Sequence, residues 1–370
     1  MSAAPDLTFL IESLYNDGVG KMRVHLMNEI ARRGYRVELL LAEMDSPYLS
    51  KVDASIPRQG LRSVHGLKGL PGLALYLRRS RPRVLLTQRV RLNLLALRAR
   101  ALSRTDTRVF VTVNVNMSAK FDHQSARKRD RQIDHMRTYY PRNDGIIAVS
   151  RGVADDAAAL IGIASDRVTV IPNPTVTPEL ATLAAQPLDH PWFAPDQAPV
   201  LLGAGRLMIE KGFDTLIRAF ALVRRDVPTC RLMILGEGPD RKALETLAAE
   251  LGLAESVAMP GFANNPYAYM TRASAFVLSS TREGSPNALV EALAVGVPLV
   301  STDCPNGPQE VLEGGKHGRL VPVGDAAALA RAIVDTLRDP VGTKDSRMAA
   351  AQRYTVERST TLYLQALGLA

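Results

Sequence analysis

Two acidic residues bracket the stretch EGSPNALVE: Glu283 and Glu291, with seven residues between them and a Ser-Pro step after the first. Serine caps helices and proline suits a first helical turn, so a helix is expected to start at Ser285–Pro286 and to end near Gly296. Glu283 then lies in the loop before that helix, and Glu291 shares a face with Asn287 one turn along. The amides of Asn287, Ala288 and Leu289 are expected to point out of the helix start, toward a phosphate or a sugar hydroxyl. Two carboxylates would repel a phosphate, so they suit hydroxyls, each accepting paired hydrogen bonds from a diol. Favourable charge at a helix N-terminus also explains Glu283 as a structural residue, but it leaves Glu291 unexplained.

Cations of matching use stand upstream in GAGRLMIEKGFDTLIRAF, where Arg206 and Lys211 follow a strand-like run that ends in small residues. Crowding two cations at a strand end is costly unless they share an anion. A diphosphate would satisfy Arg206 as a fork and Lys211 as a point charge. Gly203, Gly205 and Gly212 around them fit a closely approached backbone. Gly18 and Gly20 precede another expected helix, where their N–H groups suit an anion or simply a tight turn. LGEGPDRKALE is a glycine-rich turn opening a helix. In MPGFANNPYAYM, Pro260, Gly261 and Phe262 are placed to bracket a flat base, although Phe262 equally suits a core.

These residues need elements to carry them. Short apolar runs alternate with longer helical patterns, the signature of parallel α/β architecture. The runs in the first half are LTFLIE, VELLLA, VLLTQ, VFVTVNV, GIIAVS and VTVIPN; in the second, PVLLGAG, RLMILGEG, VAMPG, AFVLSS, PLVSTD and RLVPV. Between the sets, proline-rich sequence around 175–198 lacks a steady period and reads as an interdomain linker. A chain of 370 residues suits two domains of roughly 150–200 residues. In open parallel sheets ligands sit beyond the carboxyl ends of the strands, which is where the unusual loops fall.

Charge separates the halves. Residues 1–190 hold 28 Lys and Arg against 18 Asp and Glu, whereas residues 191–370 hold 18 against 19. The basic excess gathers in RRSRPR, RVRLNLLALRAR and RKRDR, and it suggests an anionic partner for the first half. No nucleic-acid motif or stacking aromatics accompany these runs, so a membrane surface with anionic headgroups fits better than nucleic acid. Cys230 and Cys304 match no zinc or CxxC spacing, which fits a reducing cytoplasm. The N-terminus has no basic segment before its apolar run, so no secretory signal is expected. NALVEALAVGVPLV is the longest apolar stretch, short of the roughly 18 residues a membrane span needs.

Taken in order, these motifs resemble the retaining glycosyltransferases of family 4, which have the GT-B fold, and the resemblance covers nearly the whole chain. Glu283 to Glu291 match the family's E-x7-E motif, and GAGRLMIEKGFDTLIRAF looks like its diphosphate-binding loop. VSRGVADDAAALIGIASDRVTVIPNP is similar to the strand and helix leading to its interdomain linker. LSSTREGSPNALVEALAVGVPLVSTDCPNGPQEVL is similar to a subgroup that mostly uses uridine-diphosphate hexoses or N-acetylhexosamines. The fold implied is two Rossmann-like, doubly wound parallel-sheet domains facing an interdomain cleft. Residues 1–180 would bind the acceptor and residues 181–351 the nucleotide-sugar donor, with a last helix over about 352–370 packing back on the first domain.

By that resemblance, Arg206 and Lys211 hold the diphosphate of the donor and neutralise it as it leaves. Glu291 binds the ribose diol. Glu283, with Gly284, Ser285, Pro286, Asn287 and Ala288, holds hydroxyls of the donor sugar. Gly205 lies in the diphosphate loop, Gly18 and Gly20 approach the donor phosphate from the acceptor domain, and Gly261 and Phe262 border the base. Enzymes of this fold generally need no metal or other cofactor, and the sequence has no Asp-x-Asp motif. The implied acceptor is a glycan or a lipid-linked glycan, and the implied location is cytoplasmic, peripheral on the inner face of the cell membrane. One departure stands out. The family commonly has a His after the strand that here reads VFVTVNVNMS, where this chain has Asn114. Asn still hydrogen-bonds a hydroxyl or phosphate but cannot titrate near neutrality; His123, nine residues on, is a weak substitute. Two alternatives remain beside transfer: a nucleotide-sugar epimerase or hydrolase on the same scaffold, and a donor-binding protein without turnover. A dinucleotide dehydrogenase is disfavoured, because no G-x-G-x-x-G with a later acid follows the first strand.

Overall fold

A computed structural model describes residues 4–14, 18–61, 63, 66–121, 124–194 and 197–370. The chain divides into two compact units, Met1–Thr175 with Val356–Ala370, and Val176–Thr355.

The first unit is built on seven parallel strands: β1 (Leu7–Ile11), β2 (Val37–Leu41), β3 (Arg58–Gly60), β4 (Val84–Gln88), β5 (Arg108–Val113), β6 (Gly145–Ala148) and β7 (Val168–Val170). Their order is β3-β2-β1-β4-β5-β6-β7. Strands β1 and β4 are buried at every position, as expected of a parallel sheet covered on both faces. Alternate side chains feed two cores. Leu10, Leu40 and Leu85 pack with Leu73 and Leu77 of the helix Gly66–Ser80. Phe9, Ile11, Leu39 and Leu86 pack with Leu26 and Ile30 of the helix Gly18–Arg32, and with Tyr363 and Leu364 of the helix Val356–Ala366.

The second unit repeats the plan with six parallel strands: β8 (Val200–Ala204), β9 (Arg231–Leu235), β10 (Val257–Gly261), β11 (Ala275–Leu278), β12 (Leu299–Thr302) and β13 (Arg319–Val321), ordered β10-β9-β8-β11-β12-β13. Leu202, Met233, Phe276 and Leu278 point to one core, and Leu201, Leu232, Ile234 and Val277 to the other. In each sheet the winding reverses once, at β1/β4 and at β8/β11. Loops diverge at such a point and open a crevice at the carboxyl edge.

Three local expectations change. Strand β3 was not anticipated, because RQG is exposed at all three positions and carries no apolar alternation. The segment around 175–198 is not structureless: the helix Leu180–Ala185 places Leu180 and Ala184 in a core of the second unit. Its apolar spacing is one helical turn, too short to register as a period. The helix Gly18–Arg32 starts at Gly18, so Gly18 and Gly20 form its first turn rather than the loop before it.

Val356–Ala370 contributes Tyr363, Leu364, Leu367 and Leu369 to a core of the first unit, and Leu367 is wholly buried. Leu367→Ala is expected to cost about 2–5 kcal/mol of first-unit stability. Urea unfolding followed by hydrogen exchange should show first-unit amides losing protection while those of the second unit keep theirs.

Candidate active site

The loops after β8 and β11 leave the second sheet at its reversal and are stitched together. After β8, the turn Ile209–Lys211 is closed by Gly212, whose φ of 59° is left-handed. A Cβ at Gly212 would lie 2.2 Å from the Ser279 carbonyl oxygen, so only glycine fits both the conformation and the contact. Several bonds cross between the loops. Ser279 Oγ donates to the Lys211 carbonyl (2.8 Å), and the Thr281 N–H donates to the Glu210 carbonyl (2.9 Å). The Arg282 guanidinium pairs with the Glu210 carboxylate at 2.5 Å. Finally, Lys211 Nζ donates to Glu283 Oε1 at 2.6 Å.

The last bond brings together two residues selected from the sequence for separate tasks. The Glu283 side chain is only 8% exposed, and a carboxylate so buried requires compensation. Ser280 Oγ donates to the same Oε1 at 2.7 Å, leaving Oε2 with no partner among the described residues. Arg206 is exposed and bonded to none of the described residues. Lys211 is therefore neutralised by Glu283, whereas Arg206 has no such partner among the described residues. Behind Glu283, burial and then the Glu283 carboxylate push the Cys304 thiol up to about 12.

The E-x7-E helix runs Asn287–Val295 and closes at Gly296. Pro286, not Ser285, is its N-cap, and no side chain caps it. Gly307 sits so close that a Cβ there would meet Pro286 Cδ at 2.3 Å, and this contact fixes the proline. The Asn287 N–H donates to the Ser285 carbonyl and the Leu289 N–H to the Pro286 carbonyl, both at 2.9 Å. Of the three amides expected to face a ligand, only that of Ala288 has no partner among the described residues. Glu291 is 7% exposed and accepts the Tyr267 hydroxyl at 3.2 Å.

The glycine loops after β9 and β10 join the same edge. The Gly205 N–H donates to the Leu235 carbonyl, and the Gly236 N–H to the Gly261 carbonyl. Arg241 ties them down through Glu237 (2.8 Å) and the Met259 carbonyl (2.8 Å). Phe262 is 54% exposed, so its ring is offered to solvent and is not core. Gly18, Gly20 and Asn114 belong to the first unit, where Asn114 accepts a long bond of 3.4 Å from Arg23. His123 lies outside the described residues.

Residues 187–355 match the family described as glycosyl transferases group 1, and residues 16–177 match glycosyltransferase family 4. The chain belongs to the family 4 type of GT-B glycosyltransferases. The lipopolysaccharide core biosynthesis glycosyltransferase LpsE of Rhizobium meliloti is 32% identical over 236 residues, covering 62% of this chain and 66% of that protein. A diphospho-undecaprenol 4-alpha-N-acetylgalactosaminyltransferase of Campylobacter jejuni is 31% identical over 54% of this chain and 52% of its own. The matches thus span from half to just under two thirds of these curated relatives. In fold, Anabaena Alr3699/HepE in complex with UDP superposes with a TM-score of 0.81 at 18% identity, covering 99% of this chain and 100% of that one. The lipopolysaccharide outer core galactosyltransferase WaaB, apo form, gives 0.77 at 21% identity, covering 98% and 99%.

Set against this family, the sequence reading missed Tyr267, Ser280 and Arg241. Tyr267 lies on a different element from Glu291, so no local spacing marks it, whereas Ser280 and Arg241 stand only three and four residues from Glu283 and Glu237. Among the described residues no helix is long and apolar enough to cross a membrane, and no cluster of three or more His, Cys, Asp or Glu is placed to hold a metal ion. Gly212→Ala tests the loop stitching. The expected cost is more than about 2 kcal/mol, from left-handed strain plus a displaced Ser279 carbonyl, and thermal unfolding reads it as a lower Tm.

Proposed function

We propose that this protein is a retaining glycosyltransferase that moves a hexose or N-acetylhexosamine from a UDP-sugar to a glycan or lipid-linked acceptor in surface polysaccharide synthesis, without a metal. The observation that carries this reading is the Lys211–Glu283 pair at the β8/β11 reversal, beside an exposed Arg206. A diphosphate entering there meets Arg206 at once and competes for Lys211, while Glu283 keeps Oε2 for a sugar hydroxyl. Glu291, held by Tyr267, takes the ribose diol, and Phe262 borders the base. The uridine preference draws support from HepE, whose structure holds UDP, and the lipid-linked acceptor from the Campylobacter relative's name.

In the reaction, the bond from the anomeric carbon to the donor phosphate oxygen breaks, and the acceptor oxygen bonds that carbon on the same face. The departing phosphate oxygen takes the acceptor's proton. Such a step asks for positioning and for stabilisation of charge on the leaving diphosphate, which the two cations and the Ala288 amide supply.

The first unit's basic excess supports a peripheral place at an anionic membrane on the cytoplasmic side. Several of its cations are paired with the unit's own acids: Arg36 and Arg83 with Asp6, Arg89 and Arg91 with Glu12, and Arg100 with Asp144. The helix Ala126–Tyr139 is different. Met136 is its only buried residue, and Arg127, Lys128 and Arg131 have no partner among the described residues.

Two outcomes are expected. With a UDP-sugar and a lipid-linked acceptor in EDTA, Lys211→Ala should lower kcat by about a hundredfold or more while Glu291→Ala chiefly weakens donor binding; full turnover by Lys211→Ala would sink the assignment, and free sugar released equally without acceptor would make the protein a hydrolase. Replacing Arg127, Lys128 and Arg131 with Gln should abolish sedimentation with phosphatidylglycerol vesicles at about 0.1 M salt. Unchanged sedimentation would place membrane contact elsewhere.

A further inference from the structure

Arg23, in the second turn of the helix Gly18–Arg32, is 5% exposed. Its guanidinium donates to Gln88 Oε1 (2.9 Å), to Thr112 Oγ1 (2.7 Å) and to Asn114 Oδ1 (3.4 Å). All three acceptors are neutral, and no carboxylate pairs with Arg23 among the described residues. Arginine keeps its charge across the pH range proteins tolerate, so this unit carries a full positive charge in its interior that no carboxylate among the described residues pairs. Such a charge is costly to bury. Gln88 and Thr112 lie at the carboxyl ends of β4 and β5, and Asn114 directly follows β5, so the charge stands at the ligand edge of the sheet.

The contact also settles which way the Asn114 amide faces. A guanidinium only donates, so the oxygen of Asn114 must turn toward Arg23 and its NH2 away from it. Asn114 is partly exposed, and with Arg23, Asn173 and Pro174 it lines a small cavity.

We propose that Arg23 and Asn114 together form an anion site of the first unit that takes a phosphate oxygen, with Arg23 as the positioning residue and Asn114 as the contact. The identity of that phosphate as the donor's rests on the function proposed above. Arg23 orients the Asn114 amide, polarises it and supplies fixed charge behind it. The arrangement delivers a permanent donor at a position where a histidine would titrate.

Asn114→Asp tests this, because it is isosteric and gives Arg23 a carboxylate of its own. Pyrophosphate is the probe, titrated by calorimetry into the full chain carrying Arg206→Ala, which removes the exposed cation of the second unit. The expected result is measurable binding that Asn114→Asp weakens at least about tenfold while raising the ligand-free Tm. Arg23→Gln should weaken binding similarly, and Arg23→Lys should restore part of it. With Arg206 intact, Asn114→Asp should lower kcat by about a hundredfold despite the higher Tm. If Arg23 merely pins the helix to the sheet, Asn114→Asp gives the higher Tm with unchanged pyrophosphate affinity and unchanged turnover, and the proposal is overturned. Absence of pyrophosphate binding to the Arg206→Ala chain also overturns it. Should the wild-type chain transfer no sugar from any UDP-donor, the transferase reading fails, and the pyrophosphate titration still decides the anion site.

Discussion

The Lys211–Glu283 pair joins side chains 72 residues apart, and much of the second unit's carboxyl edge is arranged around it. The pair exists because parallel strands deliver their following loops to one edge, and because β8 and β11 are neighbours at the reversal. Once the two loops meet, the largely buried Glu283 needs a cation, and Lys211 is the one within reach. Gly212 is the geometric condition, since a side chain there would strike the Ser279 carbonyl that helps lock the loops.

This pairing also sets the resting electrostatics. Lys211 is compensated within the unit, whereas Arg206 is exposed and has no partner among the described residues. A second polar anchor, Tyr267 on Glu291, works by the same rule, since it gives a buried carboxylate a donor and holds one oxygen in place. Acidic residues in a site meant for a diphosphate are tolerable only when their charge is screened or fixed by such partners.

The first unit solves a related problem without acids. Arg23 donates to a glutamine, a threonine and an asparagine, and that asparagine, Asn114, stands where the resemblance implies a histidine. Many of its other cations do structural work on Asp6, Glu12 and Asp144. The helix Ala126–Tyr139 carries three further cations, Arg127, Lys128 and Arg131, whose side chains have no partner among the described residues.

By itself the sequence determined the two parallel α/β units, because buried parallel strands must be short and apolar and their helices amphipathic, and both signals are local. It also singled out Arg206, Lys211, Glu283 and Glu291, because they lie beside glycines and helix starts that no core requires. It misplaced the helix cap at Ser285, because the choice of Pro286 depends on Gly307 from a later loop. Strand β3 was invisible, because its three exposed residues, Arg58, Gln59 and Gly60, carry no apolar alternation. Only the tertiary structure decided that Lys211 rests on Glu283, that Tyr267 holds Glu291 and that buried Arg23 donates to Gln88, Thr112 and Asn114. Those are contacts between residues distant along the chain, fixed by strand order, which no local spacing records.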